Sequence, residues 1–257
     1  MDSGASHGTI HACLGITGAM QTTPTAAMEA MSSASTYCAG GGSPDGSLQQ
    51  NRILNMRSDR IGRDIVFHKP YRVIVPKEGE EDRSHTPVQQ NETIWYTDGS
   101  KTEQSTGAGA TNRDPGCEIS INLGNYATVF EAEVTATSAC AQEMIRRSYT
   151  NKMIQIISDS QAALKALGAV EIHSQVVKDC MDSLTQLAEH NSITLKWMRG
   201  HQGQEGNERA DFLAKKWAEV PLIWPEPTCG LAYRTARRVM KDLLRENIYR
   251  TGRKAQG

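Results

Sequence analysis

Four acidic side chains stand in short stretches that differ from their surroundings. They occur in "YTDGS", "FEAEV", "ISDSQ" and "NERAD", as Asp98, Glu133, Asp159 and Asp211. Carboxylates buried together repel one another strongly unless protons or cations neutralise them. The donors in this set are all oxygens, with no cysteine or histidine among them, and such a set suits Mg²⁺ or Mn²⁺. If the fold brings these residues together, their chemistry indicates a divalent metal site.

The elements that must position these acids can be predicted from the periodicity of apolar residues. "TIWYTD", "TGAGAT" (106–111) and "CEISINLG" (117–124) read as three antiparallel strands, with "RDPG" as a turn signal. A helix follows that places Val129, Ala132, Glu133, Ala136 and Cys140 on one face. Strands 154–158 and 193–198, a short helix "QAALKAL", a helix over 172–190 and a last helix "NERADFLAKKWAE" complete the order. The pattern predicts an α/β domain with a mixed five-stranded sheet and helices on both faces.

The connections predict where the site lies. Right-handed β–α–β crossovers make strands 154–158 and 193–198 parallel to the first strand. Asp98 and Asp159 both stand at the carboxyl ends of strands, which is the edge where ligands bind in open α/β sheets. Each acid also has an ordinary interpretation. Asp98 suits a turn, Asp211 suits the first turn of a helix, and Glu131 and Glu133 could both face solvent.

Composition limits the class of protein. The 257 residues carry a net charge of −1, 38% are hydrophobic, and no stretch approaches the length of about 20 apolar residues that a membrane helix needs. The six cysteines form no CxxC pair, which favours reduced, buried thiols inside a cell. We therefore expect an intracellular protein without a membrane anchor, in a nuclear or cytoplasmic compartment that the sequence does not resolve.

The chain divides into four segments by composition. Residues 1–50 are poor in large apolar side chains and contain no lysine or arginine, and 51–92 read as a linker with one strand-like run, "YRVIVP". Residues 93–219 hold the predicted domain, with 12 basic and 16 acidic side chains. Residues 220–257 form a basic tail that we expect to be helical in part; its last 26 residues hold eight basic side chains and two acids.

Together, "YTDGSK", "FEAEVTA", "ISDSQAAL" and "GHQGQEGNERADFLA" resemble the motifs of type 1 ribonuclease H, in order and spacing, over residues 93–219. The sequences of these motifs are most similar to those of the ribonuclease H domains at the carboxyl end of non-LTR retrotransposon polyproteins. Upstream, "LGITGAMQTTPTAAMEAM" is similar to the segment that follows a reverse transcriptase in such polyproteins. The expectation is a carboxyl-terminal fragment of such an element. It has no polymerase Tyr-x-Asp-Asp motif, and the reverse transcriptase of the parent polyprotein is its expected partner.

The resemblance implies a ribonuclease H-like fold and an endonuclease that cleaves the RNA strand of RNA–DNA hybrids. The four carboxylates would hold two Mg²⁺ ions, for which Mn²⁺ could substitute, and cleavage would leave a 5′-phosphate and a 3′-hydroxyl. We choose Glu133 over Glu131 because "AEV-T-A" matches the family register. His201 would shuttle protons from a loop flexible at its glycines.

Three further residues correspond to family contacts with the substrate. Gln161 resembles a contact to the minor groove of the hybrid, Asn207 would hold the histidine loop, and Thr128 falls where a hydroxyl binds a phosphate of the DNA strand. Two alternatives stay open on the residues alone. One is a catalytically dead remnant that binds nucleic acid, and the other is a transposase or integrase-type nuclease on the same fold.

Overall fold

The fold is that of a computed structural model, which describes residues 57–76, 92–112, 117–200, 203–219, 230–239, 241, 242 and 245. The predictions for residues 1–50, the "RDPG" turn, His201 and most of the basic tail lie outside these residues. Among the described helices, none has the length and apolar character that crossing a bilayer requires.

A mixed sheet forms the centre of the molecule. Its strands stand in the order β2-β8-β6-β3-β4-β5, and a separate pair joins β1 to β7. The parallel alignment of β6 and β8 with β3 and the antiparallel meander β3-β4-β5 are confirmed. The strands span Arg60–Ile65 (β1), Tyr71–Ile74 (β2), Glu92–Lys101 (β3), Thr106–Asn112 (β4), Glu118–Gly124 (β5), Met153–Ser158 (β6), Glu171–Ser174 (β7) and Ser192–Trp197 (β8).

Four helices cover the two faces of the sheet, as predicted: Val129–Arg146 (α1), Gln161–Gly168 (α2), Gln175–Ala188 (α3) and Glu205–Ala218 (α4). Helix α1 contacts one face at Gly99 of β3, and α4 contacts the opposite face at Gly107 and Gly109 of β4. At each of these glycines a Cβ would collide with the helix, so the missing side chains allow close packing.

Hydroxyl side chains set the starts of three helices. Thr128, Ser160 and Ser174 each accept a hydrogen bond from a backbone N–H in the first turn of α1, α2 and α3. Such caps satisfy donors that the helix itself leaves free, and each contributes about 1 kcal/mol. Glu131 returns a bond to the backbone of Thr128 and completes a capping box.

The fold class is confirmed, but the sheet has six strands rather than five. The strand-like run in the predicted linker forms β2, which pairs in parallel with β8 at the edge of the sheet. The helix predicted over 172–190 was wrong at its start, because residues 171–174 form β7 and pair with β1. Ser174 then caps α3. A strand partner more than 100 residues away decides the conformation of these four residues. The helical periodicity of the sequence contains no information about this partner.

Two predictions about α1 also need correction. Val129 was placed on the buried face, but 43% of its surface is exposed, since it is the first residue of the helix and precedes the packed turns. Glu131 was considered as a solvent-facing residue, but only 1% of it is exposed. Its side chain folds back onto Thr128 instead of extending into water.

The core lies mainly between the sheet and α1, α2 and α3. Trp95, Leu164, Leu184 and Leu195 are among its fully buried side chains. The cysteines of the described region, Cys117, Cys140 and Cys180, are buried as free thiols. The interpretation of these three as small apolar side chains is confirmed.

Candidate metal centre

Three of the predicted acids meet at one edge of the sheet. Asp98, Glu133 and Asp159 each offer a carboxylate oxygen, and these oxygens lie within 4.8 Å of one another. Asp98 and Glu133 are buried, with 7% and 4% of their surfaces exposed, and Asp159 is half-buried. In the described part of the chain this is the group of acids with the geometry of a metal site.

Parallel pairing of β3 and β6 explains why the two aspartates are neighbours. Thr97 pairs with Ser158 in the register of these strands, so Asp98 and Asp159 are the next residues on adjacent strands. Asp159 follows the end of β6, as predicted, and parallel strands point to the same edge. Asp98 was predicted to end its strand, but it lies within β3, because pairing with β4 continues the strand to Lys101. The roles of both residues stay predictions.

Glu133 reaches the same place from the first turns of α1. Its approach depends on Gly99, where a Cβ would lie 2.7 Å from the backbone nitrogen of Glu133 and 3.0 Å from its Cγ. The N–H of Gly99 donates hydrogen bonds to the carboxylates of both Asp98 and Glu133. Glu133 rather than Glu131 therefore belongs to the cluster, as the register predicted, while Glu131 serves as a cap.

Asp211 lies next to Asp98. It comes from α4, and its carboxyl is hydrogen-bonded to that of Asp98. The Lys215 ammonium, one turn later in α4, also donates to Asp211 Oδ2 at 2.7 Å. Asp211 is thus adjacent to the three clustered acids, and a lysine already neutralises part of its charge.

The electrostatics of the cluster are those of crowded carboxylates. Burial raises the pKa of Glu133 to about 9, and the charges of Asp98 and Asp159 add to the effect. Burial raises the pKa of Asp98 to about 7, with further contributions from the charge of Asp159 and from Asp211. A bound cation removes this penalty, because an opposite charge favours the ionised carboxylate. The arrangement therefore fits divalent cations with a preference for oxygen ligands.

Neighbouring groups hold Asp159 in place. The indole Nε1 of Trp197 donates to the carbonyl oxygen of Asp159 at 2.8 Å. A Cβ at Gly200 would lie 2.5 Å from Asp159 Oδ2, so the chain after β8 passes directly against the carboxylate. Ser158 Oγ is 3.5 Å from Glu133 Oε2.

The three predicted substrate contacts belong to α1, α2 and α4, and two of them are hydrogen-bonded within the protein. Gln161 is the first residue of α2 and accepts a hydrogen bond from Lys165. The Thr128 hydroxyl donates to Glu131 at 2.9 Å while it caps α1. Asn207 is buried in α4, and its Oδ1 has no hydrogen-bond partner among the described residues. The roles of these residues stay predictions.

Sequence reasoning missed the residues that support the site. Gly99, Gly107 and Gly109 let the two helices approach the sheet, and Lys215 pairs with Asp211. The alternation of glycine and alanine in "TGAGAT" is a usable signal for close backbone approach. The Asp211–Lys215 spacing of four residues is also a known helical pair.

Comparisons with known proteins agree with this geometry. The RNase H family profile matches residues 90–219. Ribonuclease H of Cupriavidus necator is 33% identical over 102 residues, which are 38% of this chain and 70% of that protein. Ribonuclease H of Pseudomonas fluorescens is 33% identical over 86 residues, with 29% and 57% covered. Ribonuclease H of Ralstonia nicotianae is 38% identical over 66 residues, with 25% and 44% covered. With four acids placed at the edge of a mixed sheet and a family match over half of its length, this chain belongs to the RNase H family.

Proposed function

We propose that the chain is an endonuclease that hydrolyses the RNA strand of RNA–DNA hybrids and leaves 5′-phosphate and 3′-hydroxyl ends. Membership of the RNase H family supports this reaction class. The observation that carries the proposal is the meeting of the Asp98, Glu133 and Asp159 carboxylates within 4.8 Å at the carboxyl edge of the sheet.

The proposed metal ligands are Asp98, Glu133, Asp159 and Asp211, and the proposed ions are two Mg²⁺, with Mn²⁺ as a substitute. Oxygen-only donors in a site from which water is partly excluded suit these hard cations. When bound, such ions supply an activated water for in-line attack on a phosphodiester and stabilise the departing 3′-oxygen. Asp98 connects the cluster to the fourth acid, because its carboxyl is hydrogen-bonded to that of Asp211.

The remaining residues of the site would hold this arrangement and move protons. Gly99 donates to two of the carboxylates, Trp197 fixes the backbone of Asp159, and Lys215 pairs with Asp211 while no metal is bound. His201 would shuttle protons from its loop, since imidazole side chains titrate near neutral pH. Gly203, two residues later, has a φ of 72°, a conformation that suits glycine.

Selection of the hybrid would depend on the 2′-hydroxyl and the groove shape rather than on base sequence. Gln161 follows Asp159 by two residues at the start of α2, and this position supports a contact to the minor groove. For Thr128 to bind a phosphate, its hydroxyl hydrogen would have to leave Glu131. Asn207 carries a buried oxygen without a described partner, which supports its proposed task of holding the histidine loop.

We further infer an origin in a non-LTR retrotransposon, with a reverse transcriptase as partner in the parent polyprotein. The amino-acid sequences of the motifs and the segment "LGITGAMQTTPTAAMEAM" support this origin. The proposed catalytic domain covers residues 93–219, although β2, which precedes it, also belongs to the sheet. The intracellular location, nuclear or cytoplasmic, stays a prediction.

A cleavage assay tests the function. The chain is incubated with a hybrid labelled on its RNA strand, with and without Mg²⁺, and Asp159→Asn is compared with Asp182→Asn, which changes an exposed aspartate of α3. We expect Mg²⁺-dependent cleavage by the wild type and by Asp182→Asn, and a loss of about 10³-fold or more for Asp159→Asn with the fold retained.

Other results would identify the rival functions. Normal turnover by Asp159→Asn would refute the metal assignment. Binding of the hybrid without cleavage by the wild type would identify a dead remnant. Cleavage of duplex DNA in preference to hybrid would identify a transposase or integrase-type nuclease.

A further inference from the structure

A strongly basic helical face lies outside the part of the chain that matches the RNase H family. Residues 233–239, 241, 242 and 245 are helical. At 100° per residue, five exposed cations of this segment fall within an arc of about 100°. They are Arg234, Arg237, Arg238, Lys241 and Arg245. Thr235, about 110° around the helix from the centre of this arc, is buried with 6% exposure.

This helical segment is attached to the body of the protein at its beginning. The backbone N–H of Leu231 donates to the carbonyl of Arg57 at 2.6 Å, and the N–H of Asp59 donates to the carbonyl of Leu231 at 3.0 Å. The Arg60 guanidinium lies 5.7 Å from the centre of the Tyr233 ring. Leu231 itself is buried. Two exposed arginines, Arg57 just before β1 and Arg60 at its start, therefore extend the basic face onto the neighbouring part of the chain.

The topology places the attachment point of this face, at Asp59 and Arg60, toward the edge of the sheet that carries the metal centre. Arg60 pairs with Ser174, and Asp59 Oδ1 accepts from the N–H of Val176 in the first turn of α3. Helix α3 leads back to the start of β8, which is parallel to β6. Its first turn must therefore lie toward the carboxyl ends of the strands.

Within the part of the chain that the structure describes, the cations of this face have a single carboxylate partner, which does not explain their clustering. Among the described residues, Arg57, Arg60, Arg234, Arg237, Arg238 and Lys241 form no ion pair. Arg245 is 3.8 Å from Asp242. By contrast, residues 93–219 hold 16 acidic and 12 basic side chains. Without its metal ions the catalytic domain would repel a polyanion, and unpaired cations at its edge offset that repulsion.

We propose that the basic face, made of Arg57, Arg60 and the cations of residues 234–245, binds backbone phosphates of the RNA–DNA hybrid and positions the duplex on the metal centre. The identity of the duplex rests on the proposed function, whereas phosphate binding itself does not. Arginine and lysine side chains that replace condensed counterions make such binding independent of sequence and strongly dependent on salt.

The test is a binding measurement on the full chain with Arg237→Gln, Arg238→Gln and Lys241→Gln combined. Fluorescence anisotropy of a labelled hybrid is followed in EDTA over a series of KCl concentrations, so that no cleavage occurs. We expect the affinity to fall about tenfold or more at moderate salt. The slope of log K against log[salt] should decrease by about 2–3, since each phosphate contact contributes about 0.9. In Mg²⁺, KM should rise while kcat stays within about twofold.

A charge-matched control carries Arg72→Gln, Lys152→Gln and Lys216→Gln, which lie outside the basic face, and it should bind like the wild type. A variant with Arg237→Lys and Arg238→Lys keeps the charge and should keep most of the affinity. Circular dichroism checks that each variant is folded.

Equal affinity and equal salt slope for the triple variant and its control would overturn the proposal. Loss of binding to phosphatidylserine vesicles, with hybrid binding unchanged, would overturn it in favour of a lipid surface. If the wild type binds the hybrid through this face but does not cleave it, the proposed function fails and the phosphate-binding face stands.

Discussion

Replacing Asp98 by asparagine should stabilise the metal-free protein while it destroys the metal site. Burial and the neighbouring acids raise the pKa of Asp98 from 3.8 to about 7. A carboxyl whose pKa is raised on folding contributes stability below its unfolded pKa, and that stability is lost as the pH rises through the folded value. Metal-free wild type should therefore lose stability between about pH 4 and pH 7.

The size of the effect follows from the shift. About three pKa units correspond to about 4 kcal/mol at pH 8, where the carboxylate is ionised in both states, and to about 1–2 kcal/mol at pH 5. Burial of the new amide offsets part of this gain. We expect Asp98→Asn to be more stable than the wild type by about 2–4 kcal/mol at pH 8 and by about 1 kcal/mol at pH 5.

Urea unfolding in EDTA at both pH values measures these differences, and the buried Trp95 provides a fluorescence signal. Added Mg²⁺ should stabilise the wild type, because binding to the native state shifts the equilibrium, and should have little effect on Asp98→Asn. The exposed Glu103→Gln is the control and should unfold like the wild type. The reasoning is refuted if Asp98→Asn is no more stable at pH 8, or if its gain is the same at both pH values.

Three other substitutions test the support of the site. Gly99→Ala would push a Cβ against a backbone nitrogen of α1 at 2.7 Å, so it should lower the free energy of unfolding in urea by about 1–3 kcal/mol and lower the activity. The control Gly62→Ala, where no atom lies within 4 Å, should change neither quantity. Unchanged stability of Gly99→Ala would contradict the close packing. Lys215→Met removes a cation that competes with the metal for Asp211, so the affinity for Mg²⁺ in calorimetry should rise about threefold to tenfold. The control Lys216→Met should leave this affinity unchanged. Unchanged or weaker Mg²⁺ binding by Lys215→Met would show that the lysine does not compete. His201→Ala should slow hybrid cleavage by about 10²-fold while calorimetric metal binding is nearly unchanged, and a matching loss of metal affinity would argue against a proton shuttle.

The elements that carry the clustered acids were easier to predict from the sequence than the strands at the edge of the fold. Asp98 and Asp159 could be placed because each ends an apolar strand-like run, and parallel pairing then makes them neighbours. Helical periodicity distinguished Glu133 from Glu131, because residues two apart on a helix face different directions. These inferences use local patterns whose geometric consequences are regular.

The strands at the edge of the fold were harder to predict from the sequence. The four residues 171–174 continue a helical apolar pattern, but they form a strand because β1 is available to pair with them. The run at 71–74 looked like part of a linker, but the free edge of β8 accepts it as a sixth strand. In both cases the partner is remote in the chain, and local propensity does not contain it.

By itself, the sequence predicted that four acids belong together and predicted most of the strands and helices that carry them. Tertiary structure alone decided that Asp211 pairs with both Asp98 and Lys215, that Gly99 makes room for Glu133, and that the basic segment is rooted beside α3. The physical reason is range. Periodicity and turn chemistry act over a few residues, whereas close backbone approach and the pairing of charges depend on which distant surfaces the folded chain brings into contact.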